Sequence, residues 1–178
     1  LERRSEPPPP PPSAPDEPIK TRSMARVLEE QGHLARALAI VRELAQRDAD
    51  PELAEWRARL ERKLALEELR ERAHALLERR GAFVEVLAAE GARAVVWCVD
   101  DAGLARARAL LGEDGALTLR IICVVAHPDY SVETRQEDRR PLEPTGYAIL
   151  DAEPGAKVVA SVGLAAGERF VSAAHGAG

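Results

Sequence analysis

The sequence predicts an α+β fold: an N-terminal helical hairpin plus a long helix, followed by a mostly antiparallel β-sandwich with one short helix. Three observations carry this prediction. Apolar residues recur at three- and four-residue spacing between Met24 and Leu77, the period shortens to two after Gly81, and Gly-containing turns punctuate the second half. With 178 residues, 46% of them hydrophobic, the chain can bury one ordinary core or two small ones. Aromatic residues make up only 3%, so packing falls to Ala, Leu and Val. The boundaries follow as a disordered Pro-rich linker over 1–20, helices over 21–80 and a sandwich over 81–178.

Six consecutive prolines, Pro7 to Pro12, precede Pro15 and Pro18. Such a run holds the backbone in an extended polyproline II form and reads as a spacer, with a docking site for a proline-recognising module as the sharper alternative. Leu1 is either a start read from a non-standard codon or the boundary of a longer protein, and the residues leave both readings open.

From Thr21 the pattern is helical. Met24, Val27 and Leu28 form one stripe and Leu34, Leu38, Val41 and Leu44 another, with Gln31-Gly32-His33 as the turn between two helices. Residues 21–51 resemble a tetratricopeptide repeat: Ala25 and Leu28 in the first helix, Gly32 in the turn, then Leu34, Ala37, Leu38, Val41 and Leu44 in the second. Small residues at 25 and 37 let two antiparallel helices approach closely. Thr21 stands where that family prefers Trp, and the closing proline, Pro51, arrives late. The resemblance implies protein binding, and a single repeat cannot bury its apolar face alone.

Residues 52–80 contain no Gly or Pro, and Pro51 suits a first helical turn. Leu53, Trp56, Leu60 and Leu64 make one stripe and Leu66, Leu69, Ala73, Leu76 and Leu77 a second, with a phase slip between Lys63 and Leu66. Such a helix is about 43 Å long at roughly 1.5 Å per residue. Its first half is expected to cap the repeat; its second half either leads to the next domain or pairs two copies of the chain as a homodimer. Glu55 with Arg59 and Glu68 with Arg72 mark a solvated face.

After Gly81, strands are predicted at 83–89 and 93–99 around Glu90-Gly91-Ala92. The second of these, with the run AVVWCV, is apolar enough to be covered on both faces. Asp100 or Asp101 caps a short helix that Gly112 ends. Further strands are predicted at 117–125, 146–151, 157–164 and 168–174, with turns at Glu153-Pro154-Gly155 and Ala165-Ala166-Gly167. The span 126–144 reads as an exposed loop, or an edge strand near Arg139 to Leu142. Residues 83–174 resemble a bacterial domain of unknown function built as a small immunoglobulin-like sandwich. The features are Val96-Trp97, Asp100-Asp101 with the helix after it, Leu117 to Arg120, Gly155, Val162-Gly163 and Phe170-Val171. That resemblance implies a β-sandwich and no activity.

Charge narrows the partners. Residues 1–22 carry four of each sign, 23–80 twelve of each, and 81–178 fourteen acids against nine bases, so the net charge of −5 lies wholly in the last segment. Neither nucleic acid nor an anionic membrane is expected as a partner, because each needs a one-sided basic surface. Arg supplies 22 of the 25 basic residues, and the Ala/Arg/Pro bias is of the kind a GC-rich bacterial genome produces. No apolar run approaches the roughly 20 residues that span a bilayer, and prolines stand where a signal peptide would have its apolar core. Cys98 and Cys123 sit in apolar runs and read as buried, reduced thiols. A cytoplasmic protein is expected.

No site signature for catalysis emerges. His33, His74, His127 and His175 lack metal-ligand spacing, so no metal or cofactor is expected. Asp100 and Asp101 are explained by helix capping, and no nucleophile elbow or phosphate loop is present. The expectation is a non-enzymatic protein-interaction or scaffold protein. It would use the helical groove, with Arg26, Glu29, Glu30 and Arg36 choosing a protein partner by charge. The alternative is a carbohydrate-binding sandwich carried on a helical arm, with Trp97 or Tyr130 stacking on a sugar.

Overall fold

A computed structural model describes residues 20–112, 114–140, 143–151, 153 and 155–177. The linker expected over 1–20 falls, Lys20 aside, outside the described residues, as do Pro141, Leu142 and Pro154. Three helices come first among the described residues: α1 (Arg22–Glu30), α2 (Leu34–Arg47) and α3 (Pro51–Leu77). They are followed by strands β1 (Phe83–Ala89) and β2 (Ala92–Cys98) and by helix α4 (Asp101–Leu111). Strands β3 (Ala116–Ala126), β4 (Val132–Arg139), β5 (Thr145–Leu150), β6 (Lys157–Ala166) and β7 (Arg169–Ala177) complete the order.

Helices α1, α3 and α4 each start where a side chain accepts a free N–H, whereas α2 starts at His33 with no side-chain cap. Thr21, the residue that departs from the repeat pattern, accepts the Met24 N–H and so caps α1. Asp50 caps α3 through the Glu52 N–H, with Pro51 in the first turn, and Asp100 caps α4 through the Gly103 N–H at 2.7 Å. Gly32, at φ +79°, turns α1 back into α2. Ala25 and Ala37 are wholly buried where α1 and α2 meet, as close approach of the two helices requires.

Helix α3 ties the layers together. Its first half buries Leu53, Trp56 and Leu60 in one cluster with Ala25, Leu38 and Val41 of the hairpin. Its second half buries Leu69 and Ala73 in another, against Leu87, Ala92, Ala94 and Val96 of the sheet. At 3.6 residues per turn the two sets lie on nearly opposite sides of the helix. The phase slip in the sequence is therefore a change of partner within the chain. Of the two uses expected for the second half, the structure shows the one that leads into the next domain, with Leu69 and Ala73 covered by β1 and β2.

The strands form two antiparallel sheets, of order β1-β2-β5 and β4-β3-β6-β7. Val95 and Trp97 face the interior between the sheets, where α4 adds Leu104, Ala107 and Leu111 to the same core. Ala94 and Val96 face α3, so β2 is covered on both faces as its sequence predicts. Thus α3, the small sheet and the large sheet stack as three layers. Cys98 is on the small sheet, Cys123 on the large one; both are free and half-buried rather than fully buried.

The expectation for 126–144 needs revision. The edge strand runs over Val132–Arg139, before the Arg139–Leu142 span that the sequence suggested. Its residues VETRQEDR carry no apolar alternation, so periodicity could not reveal it; hydrogen bonding to β3 makes it a strand.

Because α3 serves two clusters, Leu69→Ala is expected to cost about 2–5 kcal/mol through the cavity it leaves. Urea unfolding followed by circular dichroism should show this loss, and a loss below about 1 kcal/mol would mean that the α3–sheet contact contributes little.

Candidate functional site

The residues singled out for partner binding are divided by the structure. On α1, Arg26 and Glu30 face solvent, while Glu29 turns inward. Glu29 Oε2 accepts the Trp56 indole N–H at 2.7 Å, its carboxylate pairs with Lys63, and the Arg59 guanidinium lies 3.7 Å away. Arg59 thus turns to Glu29 rather than to Glu55. Glu29 is a bracket between α1 and α3. The other end of α1 has a matching bracket, where Arg22 pairs with Asp50, the cap of α3.

Arg26 lies over the face of Trp56, 5.9 Å from the ring centroid, which neutralises none of its charge but fixes its stem on α3. Arg36 is exposed on α2, beside Leu64 and Glu67 of α3. Arg26 and Glu29 line a cleft of about 390 Å³ between α1 and α3, together with Arg22, Glu52, Trp56 and Arg59. Neither Glu30 nor Arg36 lines that cleft.

What the sequence did not single out is the apolar flank of α1. Met24 is 40% exposed and Val27 49%, although Ala25 on the same helix is wholly buried. Helical spacing sets Met24 and Val27 side by side, on an open arc that continues through Glu30 to Arg26. The pattern Met24, Val27, Leu28 was visible in the sequence as one stripe. Only Leu28 of that stripe joins the hairpin cluster.

The sugar-stacking expectation for Trp97 is overturned. Its ring is 6% exposed, its indole N–H donates to the Glu143 carbonyl at 3.3 Å, and it packs with Val95 and Val99. Gly146 lies against the ring so closely that an added Cβ would sit 3.0 Å from it. Tyr130 is the reverse case, 96% exposed at the tip of the β3–β4 hairpin with φ +66°. Asp129 holds that tip by accepting both the N–H and the hydroxyl of Ser131. The Tyr130 ring thus projects into solvent.

Several other polar groups are engaged locally. His74 meets the Tyr147 ring edge-on at 5.3 Å, His127 Nε2 lies 3.6 Å from Glu133, and the Ser161 and Ser172 hydroxyls hydrogen-bond to each other at 2.6 Å. Among the described residues, no three His, Cys, Asp or Glu side chains gather in a metal-binding arrangement.

The two brackets carry a pH dependence. Hydrogen bonding from Lys63, helped by Trp56 and opposed by burial, holds the Glu29 carboxyl below its usual range. The Arg22 guanidinium does the same for Asp50. A carboxylate depressed in the folded state stabilises it fully above the unfolded value, and that stability is lost as pH falls below about 4. Acid titration followed by Trp fluorescence should therefore show α1 leaving α3 at the acid end. Glu29→Ala should cost about 1–2 kcal/mol in urea unfolding, and should remove part of that acid transition.

The chain matches no family model, and neither a curated protein nor a solved structure shows significant similarity to it.

Proposed function

We propose that the chain is a non-enzymatic protein-interaction or scaffold protein. In this reading the hairpin offers α1 to a protein partner, and the sandwich, joined through α3, serves as a rigid base. The observation that carries it is the flank of α1, where Met24 and Val27 stay in water although the helix has a filled core behind it. Large apolar side chains side by side on a helix are what the groove of a partner covers. Arg26 and Glu30 on the same open arc would select that partner by charge. Glu29 falls outside the contact set because its carboxylate is committed to α3, and Arg36 because it lies on another helix.

The likeness of residues 21–51 to a tetratricopeptide repeat supports the same use, since repeats of that kind complete their cores against a neighbour. The carboxylates and hydroxyls that could suggest an enzyme have local structural work here: Asp100 caps a helix and Ser161 bonds Ser172. Among the described residues no helix is long and apolar enough to cross a membrane. Two unbonded thiols, half-buried on different sheets, suit a reducing compartment, and we assign the protein to the cytoplasm on that basis.

The test pairs Met24→Asp with Val27→Asp and compares the double variant with the wild type, both immobilised and exposed to one cell extract. A partner that the wild type retains in stoichiometric amount should be lost at least about tenfold from the variant, the equivalent of about 1.4 kcal/mol. The thermal midpoint should stay unchanged, since both positions are exposed. Equal retention by the two proteins would remove α1 as the docking surface.

A further inference from the structure

Strand β4 is one edge of the four-stranded sheet, with β3 as its only strand neighbour among the described residues. Register with β3 sets Glu133, Arg135, Glu137 and Arg139 opposite Val125, Cys123, Ile121 and Leu119, so these four share the core-side face. Thr134, Gln136 and Asp138 share the other. Charge on an edge strand ordinarily keeps other chains away, and a row of one sign does so by repulsion. On β4 the row alternates: acid, base, acid, base.

We propose that β4 pairs antiparallel with β4 of a second copy of this chain, about a twofold axis at Gln136, joining the two four-stranded sheets into one. The charges select this register. In a twofold antiparallel pair each residue faces one on the same side of the sheet, so one residue must face its own copy. With Gln136 on the axis, Arg135 faces Glu137 and Glu133 faces Arg139, each pairing occurring twice, and seven residues of each strand overlap. Moving the axis to Arg135 sets Arg135 against itself and Glu133 against Glu137. Moving it to Glu137 sets Glu137 against itself and Arg135 against Arg139. Axes at Thr134 or Asp138 leave an overlap of five residues or fewer.

In the single chain the same charges are matched along the strand, Arg135 with Glu133 at 2.6 Å and Arg139 with Glu137 at 2.7 Å. Arg135 also reaches Glu153 at 3.1 Å, and the Arg139 guanidinium approaches the Ile149 carbonyl at 3.5 Å. These side chains remain well exposed, 61% for Arg135 and 57% for Glu137, so they are free to turn across to a second strand. On the outer face the half-exposed Ile122 and Val124 of β3 and the exposed Val132 lie close to the joint and extend the shared surface beyond the ribbon. A ribbon of this length buries less than the roughly 1,200 Å² of a standard interface, so the pairing is weak and reversible. The flank of α1 takes no part in it.

Sedimentation equilibrium from about 10 µM to 1 mM tests this, a range in which weak association becomes populated. The mean mass should rise toward twice that of the chain, and less so in 1 M salt, where the Debye length shrinks to about 3 Å. Arg135→Glu turns two of the four cross-strand pairs repulsive and should weaken association about tenfold. Adding Glu137→Arg restores opposite signs and should recover it. In a Cys98→Ser, Cys123→Ser background, oxidised Gln136→Cys should cross-link two chains and Thr134→Cys should not. A single-chain mass at 1 mM, unchanged association in Arg135→Glu, or no recovery in the swapped pair would each overturn the proposal. Cross-linking through residue 134 in place of 136 would overturn the register.

Discussion

The rest of the structure depends on the double burial of α3. One helix of 27 residues presents Leu53, Trp56 and Leu60 to the hairpin and then, nearly half a turn away, Leu69 and Ala73 to β1 and β2. Neither neighbour is self-sufficient. The hairpin needs α3 to close its open side, and the small sheet needs α3 to cover the face that carries Ala94 and Val96. An apolar stripe on one side throughout would have joined α3 to only one of them. Rotation of the stripe couples the two halves of the chain into one packing unit, with brackets at Asp50 and Glu29 holding α1 in place.

The sandwich is closed unequally on its two sides. Toward β1 and β7 the backbones approach so closely that a Cβ on Gly176 would come within 2.0 Å of the Val84 carbonyl oxygen. Toward β4 the apolar core stops at β3, and a row of alternating charges takes its place. A cleft of about 370 Å³ opens there, floored by Ile121, Cys123 and Val125 and rimmed by Arg135, Glu137 and Asp151. Charged side chains pointing inward at an edge prevent indiscriminate pairing. Alternation of their sign keeps one register attractive while the adjacent ones remain repulsive.

The two exposed features serve different ends. The flank of α1 is apolar with charges around it, a surface on which another protein can bury area. The edge of β4 is polar and repetitive, a surface that reads register. Both belong to a scaffold whose tryptophans, Trp56 and Trp97, are each buried with the indole N–H satisfied, by Glu29 and by the Glu143 carbonyl. Burying an indole without a partner for its N–H would forfeit part of what its apolar surface returns.

Local chemistry alone made most of the elements legible. The helical spacing of Leu34, Leu38 and Val41, the first-turn Pro51, the cap at Asp100, the turn glycines and the alternation from Leu117 to Val125 all act between residues near in sequence, and each produced the element expected of it. β4 was not legible, because a strand of charged residues has no periodic signature and exists through its pairing with β3. The candidate site was readable only in part: Arg26 and Glu30 are on the surface, but Glu29 faces inward because Trp56, 27 residues away, needs an acceptor. Trp97 is buried because α4 and the second sheet close over it, and the two halves of α3 find different partners because strands distant in sequence come to lie beneath the second. Sequence determined the helices and every strand but β4; tertiary structure decided β4 and which faces remain in water, since both depend on long-range packing and pairing.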